Sequence, residues 1–138
     1  MSDPMPAEPR GPRLLTVRGA ERGVGWALRA ANGRQLAVGV RMYRVEDELS
    51  DAISQLIIER AALRCAVAQS ESRLWVWTAY LPPRSTRQGA GDAEPIARSA
   101  RGYLRRDQCR SGVDSFLSGL QQLGLERRRA GRDDRWPW

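Results

Sequence analysis

The feature that most constrains the fold of this chain is a stretch of sequence that occurs twice. Residues 36–47 read LAVGVRMYRVED, and residues 96–107 read IARSARGYLRRD. Identical residues coincide at Ala37/Ala97, Arg41/Arg101, Tyr43/Tyr103 and Asp47/Asp107. The match continues without a gap to residue 58, so we predict that the chain is a tandem duplication of one structural unit.

Each predicted unit has three strands followed by a helix. Alternating apolar residues predict strands over 13–20, 24–30, 35–40, 63–69, 74–80 and 96–101. Asn32-Gly33 joins the second and third strands, and since both residues accept positive φ we expect a type I′ hairpin there. The second unit has the Pro-, Gly- and Ser-rich segment 81–95 in that place, which predicts a loop.

After each tyrosine, the spacing of apolar residues changes from two to about 3.6, which indicates a helix. The first helix is predicted over 46–60, and the second is expected to end near Gly124. Their apolar positions correspond, with Leu49, Ala52, Ile53, Leu56 and Ile57 in the first and Cys109, Gly112, Val113, Phe116 and Leu117 in the second. One unit alone would expose half of its sheet and helix, whereas two units bury them together.

We therefore predict an α+β fold, in which two tandem β-β-β-α repeats form one antiparallel sheet with two helices packed on one face. The single pseudo-symmetric domain is expected at 13–125, with repeat one at 13–61 and repeat two at 62–125. Residues 1–12 are expected to be a disordered lead and 126–138 an Arg/Trp-rich tail.

The tryptophans of the second strands alternate with small or polar residues, as core-facing positions of a strand do. We predict that Trp26, Trp75 and Trp77 lie in the core rather than on an exposed platform for bases. Matching the two strands by their aromatic residues aligns Trp75, Trp77 and Ala79 with Trp26, Leu28 and Ala30.

Residues 26–43, WALRAANGRQLAVGVRMY, combine an aromatic residue, an Asn-Gly turn, an apolar strand and a tyrosine before an amphipathic helix. This pattern resembles the YegP-like family, which comprises short tandem-repeat domains of unknown function. The resemblance covers roughly residues 13–122, but the second unit lacks the Asn-Gly turn. It implies two β-β-β-α units sharing one antiparallel sheet, allows terminal strands to be exchanged between repeats, and brings no catalytic residues.

The composition removes several common kinds of catalytic chemistry. The chain contains no histidine, and all 23 Lys+Arg residues are arginine, so it lacks histidine bases and metal ligands, Schiff-base lysines and the phosphate-loop lysine. Cys65 and Cys109 have no metal-ligand spacing and are predicted to be small buried residues, although a disulfide in an oxidising compartment is the alternative. We expect no enzyme activity, cofactor or metal.

No stretch approaches the roughly 20 apolar residues that a membrane-spanning helix needs. Residues 1–13 also lack the apolar core of a signal peptide. We expect a cytoplasmic protein without a membrane partner.

Positive charge is concentrated at the start of the second predicted helix. The formal net charge is +7, and the candidate anion-binding residues are Arg98, Arg101, Arg105, Arg106 and Arg110. Arginines beside the unpaired N–H groups of a helix start favour an anion. The corresponding part of repeat one is acidic, with Glu46, Asp47, Glu48 and Asp51.

This charge pattern leaves three hypotheses for the protein's role. In the first, repeat two contacts an anionic partner, with nucleic acid as the first candidate and an acidic protein as another. In the second, the acidic and basic ends of two copies pair in a homodimer. In the third, the charges are merely solvated.

Two interpretations are open for the paired tyrosines. Tyr43 and Tyr103 either place their hydroxyls in a shared ligand groove or fill the corner between strand and helix.

Overall fold

The structure is a computed structural model that describes residues 11–19, 23–82 and 93–131, with side chains up to residue 128. Within these ranges the elements are β1 (Arg13–Arg18), β2 (Val24–Arg29), β3 (Gln35–Gly39), α1 (Glu46–Ile58), β4 (Arg64–Gln69), β5 (Trp75–Leu81), β6 (Glu94–Ser99) and α2 (Arg106–Gly131). A short 3-10 helix, Arg60–Ala62, follows α1. Most of the predicted lead, the middle of the 81–95 loop and the end of the tail lie outside the described residues.

The six strands form one antiparallel sheet in the order β1-β2-β3-β6-β5-β4. The halves meet at its centre, where β3 pairs with β6 in the register Ala37↔Ser99, Val38↔Arg98 and Gly39↔Ala97. The predicted α+β class and single antiparallel sheet are confirmed. Each terminal strand pairs within its own half, β1 with β2 and β4 with β5, so the exchange of terminal strands is not found.

The two helices contact each other and the sheet, and one hydrophobic cluster contains residues of both helices and of strands from both halves. At its centre Trp77 of β5 stacks on Phe116 of α2, with ring centroids 4.8 Å apart. The predicted apolar helix faces are buried at Leu49, Ile53, Leu56, Ile57, Cys109 and Phe116, and Leu120, one turn after Phe116, is buried as well. Both cysteines are free thiols, with Cys109 buried and Cys65 half-buried. No helix in the described ranges has the length and apolar character needed to cross a bilayer.

The alignment of the two halves by their tryptophans is wrong by two residues. Isolated β-bridges pair Val24 with Tyr43 and Trp75 with Tyr103, so Trp75 corresponds to Val24. Trp77 then corresponds to Trp26, and both are buried as predicted. Trp75 is only half-buried, so its predicted place in the core is confirmed only in part.

The Asn32-Gly33 hairpin forms, but it is not a type I′ turn. Ala30 and Arg34 close a three-residue loop through the Ala30 N–H to Arg34 C=O hydrogen bond of 2.8 Å, and only Gly33 has positive φ, at 88°. Asn32 instead accepts a hydrogen bond from the Arg34 N–H at its Oδ1. In a three-residue loop, only the last position needs the left-handed conformation. The β4–β5 loop closes in the same way, with Arg73 at φ 68°.

The second helix is longer than predicted, since α2 continues to Gly131 rather than ending near Gly124. Arg127 ties this extension to α1, because its Nη2 donates to the Ser54 Oγ at 2.9 Å. The start of the described chain also packs against α2. A Cβ on the buried Gly11 would lie 2.7 Å from the Glu126 Oε2.

Candidate functional site

The connection from β6 to α2 carries most of the predicted anion-binding arginines, but Arg98 is separated from them. Arg98 is exposed on β6 between the buried residues Ala97 and Ser99. Successive side chains of a strand point to opposite faces. Arg98 therefore faces away from the helices, next to its cross-strand neighbours Val38 and Thr78.

Three of the other arginines lie together at the start of α2. Arg105, Arg106 and Arg110 line an open depression of about 440 Å³ with Asp107. Arg105 Nε lies 3.4 Å from the Asp107 Oδ1, but both side chains are about 70% exposed, and such a pair contributes only about 0–1 kcal/mol. The Gln108 Oε1 accepts a hydrogen bond from the Arg105 N–H, which caps the helix. The depression thus carries three positive charges against one negative charge.

Two arginines lie over aromatic rings beside this depression. The guanidinium carbon of Arg101 is 5.2 Å from the Tyr103 ring centroid, and that of Arg106 is 5.6 Å from the Trp75 ring centroid. Trp75 and Tyr103 are neighbours, since their backbones exchange hydrogen bonds of 2.7 and 2.8 Å. We call Arg101, Arg105, Arg106, Arg110, Trp75 and Tyr103 the basic surface.

A groove adjoins the basic surface, between the start of β3 and the first turns of α2. It has a volume of about 430 Å³, and its lining includes Arg34, Leu36, Arg101, Tyr103, Gln108 and Ser111. Tyr103 sits close against α2 because residue 112 is glycine, whose added Cβ would lie 2.6 Å from the Tyr103 Oη. Tyr43 does not line this groove. Arg34 was not predicted as a site residue, because it follows the hairpin turn and lies far from the other arginines in sequence.

Tyr43 occupies the corresponding corner of the first half. Burial raises the pKa of its hydroxyl above the ordinary value; the charge of Arg41 opposes this shift, and that of Glu94 adds to it. Arg41 and Glu94 form an ion pair, with Nη2 and Oε2 2.9 Å apart. In this corner the arginine is therefore neutralised by a carboxylate of the same chain.

The acidic start of α1 lies at the other end of the sheet from the basic surface. Each helix follows one of the two antiparallel central strands, so the helices begin at opposite ends. Glu46, in the first turn of α1, pairs with Arg18 at 3.1 Å.

The remaining candidates are the two cysteine thiols as nucleophiles and the Cys, Asp and Glu side chains as metal ligands. Burial raises the pKa of the Cys65 and Cys109 thiols, which keeps them protonated and weakens them as nucleophiles. Within the part of the chain that the structure describes, no group of three Cys, Asp or Glu side chains is arranged to hold a metal ion.

No protein-family model matches this chain, and no curated protein matches it. Two solved structures resemble it. The UPF0339 protein from Shewanella oneidensis has a TM-score of 0.58 and 13% identity over 80% of this chain and 86% of its own. The protein of unknown function yegP from E. coli has a TM-score of 0.57 and 10% identity over 80% and 87%. The chain therefore has the fold of the YegP-like family, as its sequence resemblance implied.

Proposed function

We propose that this chain is a small non-catalytic binding protein that contacts an anionic partner through the basic surface, with a single-stranded nucleic acid as the first candidate. The observation that carries the proposal is the pair of neighbouring aromatic rings, Trp75 and Tyr103, each with an arginine over it. These rings lie beside the depression lined by the three arginines at the start of α2.

This arrangement suits a nucleic acid strand for two physical reasons. Guanidinium groups bind phosphate oxygens through charge-assisted hydrogen bonds. Partly exposed aromatic rings accept the faces of unpaired bases, at about 1–3 kcal/mol per base. Trp75 and Tyr103 are both half-buried, so neither residue is closed off from solvent.

The proposal is tested by fluorescence anisotropy with a labelled single-stranded oligonucleotide at stepwise salt concentrations. Release of counterions from phosphates by Arg101, Arg105, Arg106 and Arg110 gives a slope of log K against log salt of about −3. Arg105→Glu with Arg106→Glu is expected to abolish binding at moderate salt and to leave the fold intact, because both side chains are exposed.

The matched control is Arg13→Glu with Arg64→Glu, which changes the net charge by the same amount on exposed positions of the two edge strands. This control is expected to retain most of the affinity. An equal loss of affinity in the two double variants would show that binding depends only on the net charge. Unchanged binding in the Arg105/Arg106 variant would show that the basic surface is not the binding site.

The alternative is a self-association module, in which the acidic start of α1 in one copy meets the basic surface of another. It is favoured by the placement of the two charged helix starts at opposite ends of the sheet. Sedimentation at low and high salt distinguishes this alternative, because a dimer held by charge pairing dissociates as salt rises.

We further infer that the two halves are tandem β-β-β-α repeats of one ancestral unit. The register of β3 with β6 supports this inference. An offset of 60 residues makes Ala97 the counterpart of Ala37 and Ser99 the counterpart of Gly39. In the sheet, Ala37 pairs with Ser99 and Gly39 with Ala97, so each residue pairs with the counterpart of the other. The half-buried free thiol of Cys65 supports a cytoplasmic location, where thiols stay reduced.

A further inference from the structure

The groove between β3 and α2 contains a pair of arginines whose counterparts in the other half of the molecule form an ion pair. The crosswise pairing of β3 with β6 relates residues of the two halves by a constant offset of 60. The same offset relates Arg41 to Arg101 and Glu94 to Arg34. The pairing of the strands agrees with this correspondence. Gln35, which follows Arg34, pairs with Arg29 of β2, and Pro95, which follows Glu94, pairs with Tyr80 of β5.

In the first half, Arg41 meets the carboxylate of Glu94 at 2.9 Å, and the corner is locally neutral. In the second half, Arg34 stands where Glu94 would, and both Arg34 and Arg101 line the groove. No carboxylate among the described residues forms an ion pair with either of them. The groove thus carries two positive charges at a place where its counterpart carries one of each sign.

A dianion matches the combined charge of two guanidinium groups. A phosphate monoester carries a charge of about −1.5 to −2 at neutral pH and offers three acceptor oxygens. Arginine forks bind such oxygens in pairs. Tyr103, Ser111 and Gln108 also line the groove, and their side chains carry hydroxyl and amide groups that can hydrogen-bond phosphate oxygens.

We propose that this groove binds a phosphate monoester between Arg34 and Arg101. The inference rests on the proposed function insofar as both assign an anionic partner to this end of the protein. It depends on a different arginine, Arg34, and on a terminal phosphate rather than the diesters of a nucleic acid backbone. A groove of about 430 Å³ accommodates a small phosphorylated molecule as well as the phosphorylated end of a strand.

The test compares two oligonucleotides of one sequence, one with a 5′-phosphate and one with a 5′-hydroxyl group, and adds a nucleoside 5′-monophosphate as a third probe. Isothermal titration is expected to give on the order of tenfold tighter binding for the phosphorylated strand, because Arg34 and Arg101 are both exposed and each exposed ion pair contributes little. Equal affinity of the two strands would overturn the proposal. Binding of the nucleoside 5′-monophosphate by itself would identify a small phosphorylated molecule as the ligand. A preference for phosphate that is seen only with the oligonucleotides would identify the phosphorylated end of a strand.

Arg34→Glu should remove the preference for the 5′-phosphate, because the introduced carboxylate would pair with Arg101 as Glu94 pairs with Arg41. Arg34→Gln is the second variant and should also lose the preference, while Arg64→Glu, on the edge strand β4, should keep it. Retention of the preference in both Arg34 variants, with circular dichroism unchanged, would overturn the assignment. Failure of the proposed function is distinguishable, because the 5′-hydroxyl strand would then not bind at all.

Discussion

Replacing Phe116 by alanine is expected to destabilise the whole domain. Phe116 is fully buried and stacks on Trp77, with ring centroids 4.8 Å apart. Removing a buried phenylalanine side chain costs about 3–5 kcal/mol, from lost transfer free energy and from the cavity left behind. With 138 residues, an unfolding entropy of about 2.1 cal/mol/K per residue makes this a fall in melting temperature of about 10–17 °C.

The assay follows thermal unfolding of Phe116→Ala by tryptophan fluorescence and by helix circular dichroism. Leu56→Ala is the matching variant in α1, where Leu56 is 1% exposed, and it should cost about 2–5 kcal/mol. Because both side chains belong to one cluster, each substitution should shift a single transition that both signals report. Separate transitions for the two halves, or a shift of only a few degrees in Phe116→Ala, would refute the shared core.

Two further predictions concern pH and packing. Burial raises the pKa values of Cys65, Cys109 and Tyr43 in the folded protein. Their contribution to stability is therefore fully present at pH values below their ordinary pKa values and is lost as the pH rises through the raised pKa values. Urea unfolding should show the free energy of unfolding falling above pH 9.0, the ordinary pKa of a cysteine, and a constant free energy there would contradict this. Gly39→Ala should destabilise by about 1–3 kcal/mol, because the new Cβ would lie 2.5 Å from the Trp26 Nε1 and overpack the sheet; an unchanged urea midpoint would count against that contact.

The sequence was informative wherever hydrophobic periodicity decides the structure. The alternation around Trp26 and Leu28 predicted β2, and the spacing of Leu49, Ile53 and Leu56 predicted α1. Both signals are local, because burial of one face requires a fixed period of apolar residues. The single antiparallel sheet was predicted, but its strand order, with β3 paired to β6 at the centre, was found only in the structure.

Features that depend on contacts between distant residues were not predictable in the same way. The extension of α2 places Arg127 in contact with Ser54 of α1, a contact between distant residues that no local pattern reports. The two-residue error in aligning the strands arose because Trp75 resembles Trp26 in type, whereas its backbone pairs with Tyr103 as Val24 pairs with Tyr43.

The candidate site was predicted in part. The sequence identified Arg105, Arg106 and Arg110, which line one depression, because they are neighbours on a single helix start. It also included Arg98, which alternation along β6 places on the opposite face of the sheet. Arg34 escaped notice because only the central pairing of β3 with β6 brings it near Arg101.

The central claim, that the basic surface is where an anionic strand binds, is tested most directly by mapping amide chemical shifts of the isotope-labelled protein during titration with a single-stranded oligonucleotide. The largest shifts are expected at residues 101–110 and at Trp75, with little change at the acidic start of α1. Saturable binding that leaves residues 101–110 unshifted, or shifts spread evenly over all exposed arginines, would contradict it.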